Sequence, residues 1–242
     1  MKKIIHLSDL HVGYKECGRN LNKLVNKIKS SYKPASDYVI VVTGDIVDNA
    51  KKKDAYEEAS KILGRLIKSN FKVLVVPGNH DYGSGAKGKK KYVTLFKQAF
   101  YGNKNVTYPK LDIVGNIAFI GLDSMAATFN WLDVYGADGE LGKKQRDALN
   151  KLLCSTKLKK KKKVVYLHHH PFDGKGRLHM LKDYKKFKKI VERKIDCLLF
   201  GHNHDGNQYS GVWGIKHCYD ASSSTGKLSP KKSATPIRVI NL

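Results

Sequence analysis

The sequence predicts an α/β fold, with a parallel or mixed sheet covered by helices, and two observations carry that expectation. Short apolar runs rich in Val, Ile and Leu alternate with longer segments whose apolar residues recur at three- and four-residue spacing. The first pattern is that of strands buried on both faces and the second that of amphipathic surface helices. Strand–helix alternation of this kind builds sheets covered on both sides. The 242 residues are 41% hydrophobic, with no internal repeat and no linker-like stretch, so one domain over residues 1–242 is expected.

The elements follow in order. "KIIHLS" reads as a first strand and "NLNKLVNKIKSS" as a helix whose Leu21, Leu24, Val25 and Ile28 share one face. "YVIVVTG" is a second strand, followed by a helix in "DAYEEASKILGRLIKS" with Tyr56, Ala59, Leu63 and Leu66 aligned. "FKVLVVPG" is a third strand and "KYVTLFKQAF" a third helix. "NIAFIGLDS", "KVVYLHHH" and "DCLLFGHNH" are further strands, separated by helices in "KKQRDALNKLL" and "MLKDYKKFKKIVERK". From about residue 206 onward, "VWGIKHCYD" and "TPIRVINL" read as short strands with turns.

Composition bounds the setting. A formal charge of +25 and a pI near 9.8 favour association with polyanions, or mark a lysine-rich surface, and say nothing about fold. Cys17, Cys154, Cys197 and Cys218 are scattered without a CxxC pair, which reads as free thiols in a reducing compartment. The start "MKKIIHLSDLHVGYK" meets His6, Asp9 and His11 before an apolar signal region can form, and no membrane span is visible. A cytoplasmic protein is expected.

The polar residues concentrate where strands end. The first strand leads to Asp9 and His11, the second to Asp45 and Asp48, and the third to Asn79, His80 and Asp81. The histidine run His168–His170 and the pair His202 and His204 follow two more. Open α/β sheets place their sites just past the C-terminal ends of strands. Gly44, Gly78 and Gly201 precede three of these groups and permit close backbone approach. Each motif alone is common: a histidine at a strand end usually caps it, and a D-x-x-D after glycine is usually a turn. Five together, always at the same end of a strand, point to a metal site. In an extended chain His168 and His170 face one way and His169 the other, so the three histidines cannot share one role.

The order D-x-H, G-D-x-x-D, G-N-H-D, H-x-P and G-H-x-H over residues 9–204 resembles the calcineurin-like metallophosphoesterase superfamily. The resemblance implies a four-layer α-β-β-α sandwich of two mixed sheets flanked by helices, with two metal ions held by loops after the strands. Carried over, Asp9, His11 and His204 hold one ion, Asn79, His169 and His202 the other, and Asp45 bridges both. The family ligand stands two residues before the proline, which selects His169 ahead of Pro171. "GLDS" (121–124) with "GELGKKQRDAL" (139–149) is similar to the class III cyclic-nucleotide phosphodiesterase branch.

The donor chemistry agrees with that likeness. Imidazole, carboxylate and amide donors suit two divalent first-row ions, Mn first, with Fe or Zn possible. Asp9 and Asp45 offset only part of the ions' charge, and the remainder attracts a phosphate ester and lowers the pKa of a bridging water for attack. His80 is left without a metal; beside ligand Asn79, and followed by Asp81 as a carboxylate able to fix its tautomer, it reads as general acid for the leaving oxygen. Asp48 reads as orienting a neighbouring ligand.

Strand direction sorts the lysines. Lys87, Lys89, Lys90, Lys91, Lys175 and Arg177 follow ligand motifs and are expected to rim the site as phosphate contacts. Lys157–Lys163 holds six lysines in seven residues but precedes its strand, so it is expected at the opposite edge as a solvated loop. The expected activity is a phosphodiesterase on nucleotide or cyclic-nucleotide substrates. A nuclease is the alternative favoured by charge, a protein phosphatase is neither required nor excluded, and a non-catalytic scaffold ranks last. No membrane is expected as a partner, and the sequence assigns no protein partner.

Overall fold

The computed structural model describes residues 2–84, 89–127, 138–172, 180–226 and 236–242. In chain order the first half contains β1 (Lys3–Leu7), α1 (Cys17–Ser31), β2 (Tyr38–Thr43), α2 (Lys53–Ile67), β3 (Lys72–Val76) and α3 (Lys90–Tyr101). The middle contains β4 (Lys110–Val114), β5 (Ile117–Gly121), α4 (Gly142–Leu153), β6 (Lys162–Tyr166) and α5 (Tyr184–Val191). The last part contains β7 (Cys197–Phe200), β8 (Gln208–Tyr209), β9 (His217–Asp220) and β10 (Arg238–Asn241).

The strands form two mixed sheets, of order β10-β1-β2-β3 and β4-β5-β6-β7-β9-β8. β1, β2 and β3 run parallel, with β10 antiparallel against β1. β5, β6, β7 and β9 also run parallel, flanked by antiparallel β4 and β8. Parallel strands lack a polar face, and the side-chain parity shows where each face goes. Ile5, Leu7, Ile40 and Val42 pack with Leu21 and Val25 of α1 and Leu63 of α2. Val165, Leu167 and Leu198 pack with Leu149 of α4 and Phe187 of α5. Residues of opposite parity, Ile4, Val41, Leu74, Phe119, Val164, Tyr166 and Leu199, form a third apolar layer between the sheets. The result is the four-layer α-β-β-α sandwich. Truncating Phe119 to Ala in this fully buried layer would cost about 3–5 kcal/mol.

Two elements differ from the sequence expectation. The strand β4 was not foreseen; only one of its five residues, Ile113, is exposed, and a Gly115–Asn116 turn pairs it with β5. The helix expected over 180–194 is confined to Tyr184–Val191. Its start is set back to Tyr184, after Asp183, whose carboxylate accepts the backbone N–H groups of Leu141 and Gly142 at 3.2 and 3.1 Å and pairs with Arg146. A tertiary partner overrides helical periodicity there.

Candidate metal centre

β1, β2 and β3 of one sheet and β6 and β7 of the other end at the same edge of the sandwich. The loops beyond them carry an unusual backbone. Among the described residues, nine non-glycine positions have positive φ, and five of them are Asp9, His11, Asp45, His202 and His204. Such conformations cost of order 1–3 kcal/mol each when strained and cluster where side chains must be aimed. Two glycines let the loops close on one another. A Cβ on Gly78 would collide with the Asp45 carboxylate, and one on Gly44, at φ +92°, would lie 2.7 Å from His168 Nδ1.

The donors meet around two buried carboxylates. His204 Nε2 lies 3.0 Å from Asp9 Oδ1, and His11 Nε2 lies 4.0 Å from the same oxygen and 3.9 Å from Asp45 Oδ2. On the other side of Asp45, His168 Nε2 is 3.4 Å from Oδ2, 2.9 Å from Asn79 Oδ1 and 3.1 Å from His202 Nδ1. Asp9–His11–His204 and Asp45–His168–His202 are therefore two groups whose donor atoms lie within 4.8 Å of one another, and a third, His11–Asp45–His80, joins them.

In the histidine run, His168 Nε2 is the ring nitrogen that reaches Asp45 and Asn79. Parity explains it: Val164 and Tyr166 face the other sheet, and His168 continues that face toward the loops of β2 and β3. His169 has Nδ1 2.7 Å from Ser124 Oγ, and its backbone N–H donates to the same oxygen at 3.3 Å. Its ring still lies 4.6 Å from that of His202, and Gly139 packs against it so closely that a Cβ would meet Cγ at 2.5 Å. His170 is held by the Phe172 carbonyl and the Tyr209 hydroxyl, at 2.7 and 3.0 Å. Ser124 and Gly139 belong to the GLDS and GELG stretches, whose role in clamping His169 had no readable signal beyond the motif itself.

The surroundings of His80 also differ from expectation. Asp81 does not reach it. The buried Asp81 carboxylate accepts the N–H groups of Gly78, Ile46 and Val47 at 2.9, 3.2 and 3.3 Å, knitting the Asp45 and Asn79 loops together. Burial, reinforced by the nearby Asp45, raises its pKa to about 7. The partner of His80 is Asp48, whose backbone carbonyl lies 2.6 Å from Nδ1, while its side chain lies 3.5 Å from His11 Nδ1. The other ring nitrogen, Nε2, faces Asp45 Oδ2 at 3.9 Å, and the backbone N–H of His80 donates to Asp45 Oδ1 at 2.9 Å.

Charge balance suits a cation. Burial opposes ionisation of Asp45, but His168, His80 and His11 outweigh it and hold its carboxyl well below the usual range. Asp9 is likewise held low against its own burial, chiefly by His204. Burial works against a charged His168, yet Asp45 and Asp9 raise it to about 9. Two ionised carboxylates in a water-poor pocket thus recruit positive charge, and the imidazole, carboxylate and amide donors fit divalent first-row ions. Of the basic residues expected at the rim, Lys89 immediately precedes α3 and its N–H donates at 2.7 Å to the carbonyl of Tyr82, which closes the short turn that begins at His80. Lys90 and Lys91 are exposed on the first turn of α3, and Lys87, Lys175 and Arg177 lie outside the described residues.

Residues 2–206 match the family described as calcineurin-like phosphoesterase. Over 114 residues the chain is 29% identical to the DNA polymerase II small subunit of Methanothermobacter thermautotrophicus; the match covers 38% of this chain and only 23% of that subunit. A dimetal phosphatase from Danio rerio superposes with a TM-score of 0.69 at 13% identity, covering 98% of this chain and 91% of that one. Phosphopantetheinyl hydrolase from Mycobacterium tuberculosis gives 0.60 at 13% identity, covering 99% and 95%. At such identities these two likenesses show the shared fold alone.

Proposed function

The chain belongs to the calcineurin-like phosphoesterase family, hydrolases acting on phosphoester bonds, and from that premise we propose that it is a dinuclear-metal phosphodiesterase acting on nucleotide-type substrates. The carrying observation is the convergence of both sheets on Asp45. Its Oδ2 lies 3.9 Å from His11 on one side and 3.4 Å from His168 on the other. In this reading Asp9, His11 and His204 hold one ion, Asn79, His168 and His202 the other, and Asp45 serves both. Manganese is the preferred metal, with iron and zinc as alternatives. Such ions supply Lewis-acid polarisation of a phosphoryl group and lower the pKa of a water.

The chain's own groups do the rest. The Asp48 carbonyl takes the Nδ1–H of His80, which fixes the tautomer and leaves Nε2 to carry the proton given to the leaving oxygen. Asp48 also orients His11 through its carboxylate. Asp81 holds the Asp45 and Asn79 loops in register, and Lys89, Lys90 and Lys91 at the start of α3 offer positive charge to the phosphate. A cyclic nucleotide fits this chemistry and the GLDS likeness. A nucleic-acid phosphodiester is the second reading, favoured by the likeness to a DNA polymerase subunit and by the +25 charge.

The test is metal-dependent turnover. Chelated protein should not hydrolyse bis-p-nitrophenyl phosphate, and added manganese should restore activity, with cyclic nucleotides and single-stranded nucleic acid compared alongside. Full turnover by rigorously metal-free protein would end this reading.

A further inference from the structure

We infer that the edge of the sandwich opposite the metal centre is a docking surface for the phosphate backbone of nucleic acid. β5, β6, β7 and β9 are parallel neighbours, so their N-terminal ends form one row. Lys160, Lys161 and Lys162 lead into β6, Lys194 precedes β7 and Lys216 precedes β9. Adjacent strands stand about 4.8 Å apart, which strings these charges along a line of close steps. Backbone bonds tie the row together: Asp196 N–H donates to the Lys163 carbonyl at 2.9 Å and His217 N–H to the Asp196 carbonyl at 3.2 Å. A cleft of about 380 Å³ lined by Lys2, Asp37, Asn116, Ile117, Lys162 and Leu242 opens on the same edge.

What distinguishes this row from the many other unpaired surface lysines is its alignment along the starts of three adjacent parallel strands. Elsewhere Lys143 pairs with Asp147, Lys188 with Glu192, Lys182 with Asp138 and Lys110 with Asp112. Among the described residues, no carboxylate lies within 4.0 Å of Lys160, Lys161, Lys162, Lys194 or Lys216. Of the acids at this edge, Asp196 spends one oxygen on the Lys163 N–H at 2.8 Å, and Asp37 lies across the cleft. Like charges gathered this way repel and gain from an external polyanion. Duplex DNA offers one charge per about 1.7 Å of its axis, a partner as dense and linear as the row itself. A membrane surface would call for apolar residues beside the lysines. The large hydrophobic residues exposed among those described, Ile67, Ile113 and Val239, belong to none of these strand starts.

The proposal is independent of catalysis, so it is tested on EDTA-treated protein by fluorescence anisotropy with a labelled duplex across a salt series. Replacing Lys160, Lys161, Lys162 and Lys216 by Gln should weaken binding at least about tenfold near 0.1 M salt and flatten the slope of log affinity against log salt by about one per lysine removed. The same four changed to Arg should bind as the parent does. Turnover of bis-p-nitrophenyl phosphate by the manganese-loaded Gln variant should stay within about twofold of the parent, since an edge beyond a Debye length of about 8 Å is screened from the site. Unchanged duplex affinity and slope in the Gln variant would overturn the proposal. So would binding to phosphatidylserine vesicles with none to the duplex.

Discussion

The two edges of this sandwich are built from the same strands and behave as opposites. At the C-terminal edge, side chains are buried, opposite charges interlock and the backbone takes conformations that non-glycine residues avoid: Asp9, Asp45 and His204 all have positive φ and little or no exposure. At the N-terminal edge, before β6, β7 and β9, lysines stand in or near solvent in a row with no carboxylate within 4.0 Å among the described residues. The parallel arrangement imposes this division, because every β-to-α loop opens at one edge and every α-to-β loop at the other. Strain and pairing mark the edge that performs chemistry. Charge aligned along adjacent strand starts marks the edge proposed to meet a large partner.

The sharpest way to break the comparison is to remove the charge on which the site is centred. Asp45→Asn should empty both metal positions, since one carboxylate faces His11 and His168 together. The loss of several kcal/mol of transition-state stabilisation corresponds to a fall in kcat/KM of about 10³-fold or more. Metal analysis and steady-state kinetics check it; one retained ion would show that Asp45 serves a single position. Next in size is His80→Ala, which should lower turnover of a nucleotide diester by about 10²-fold or more while leaving metal content unchanged. The loss should shrink for a p-nitrophenyl leaving group, which needs little protonation. Loss of metal in this variant would make His80 a ligand instead, as its 3.9 Å approach to Asp45 allows.

Much of the site was legible because strand ends are legible. The apolar runs of β1, β2, β3, β6 and β7 locate themselves, and Asp9, His11, Asp45, Asn79, His202 and His204 follow directly from their ends. In the histidine run the motif points to His169 and the geometry to His168. β6 is apolar on both faces, Val164 and Tyr166 on one and Val165 and Leu167 on the other. Nothing in the run tells which face meets the second sheet, and counting back from Pro171 selected His169. Asp81 misled for a related reason: adjacency to His80 suggested contact, whereas its carboxylate turns back to three amide groups. The strand β4 escaped notice because its apolar Leu111, Ile113 and Val114 are broken by Asp112, which meets Lys110 and Lys72 instead of a core.

A smaller effect lies between the edges, where neither chemistry nor solvent intrudes. His6 is buried in the inter-sheet face of β1 with Nε2 3.0 Å from Thr43 Oγ1. Burial, followed by the Arg238 charge, lowers its pKa to about 3. Between pH 6.5 and 3 the unfolded chain binds a proton at this position and the folded chain does not, so His6 makes stability fall as pH drops through that window. From pH 7 to pH 5 its share is roughly 2 kcal/mol. Urea unfolding of the EDTA-treated protein should therefore lose that much less stability over this range in His6→Gln than in the parent. Equal losses in both would place a charged imidazole between the sheets.

The central claim is that the two sheets share one metal pair around Asp45, with His168 as the histidine that the second sheet contributes from its β6 end. Metal content per chain of His168→Ala and His169→Ala, measured on manganese-loaded and desalted protein, tests it most directly. The account expects His168→Ala to lose one ion, because Nε2 stands against Asp45, Asn79 and His202 together, and His169→Ala to retain both. Loss of metal from His169→Ala with full occupancy in His168→Ala would contradict it.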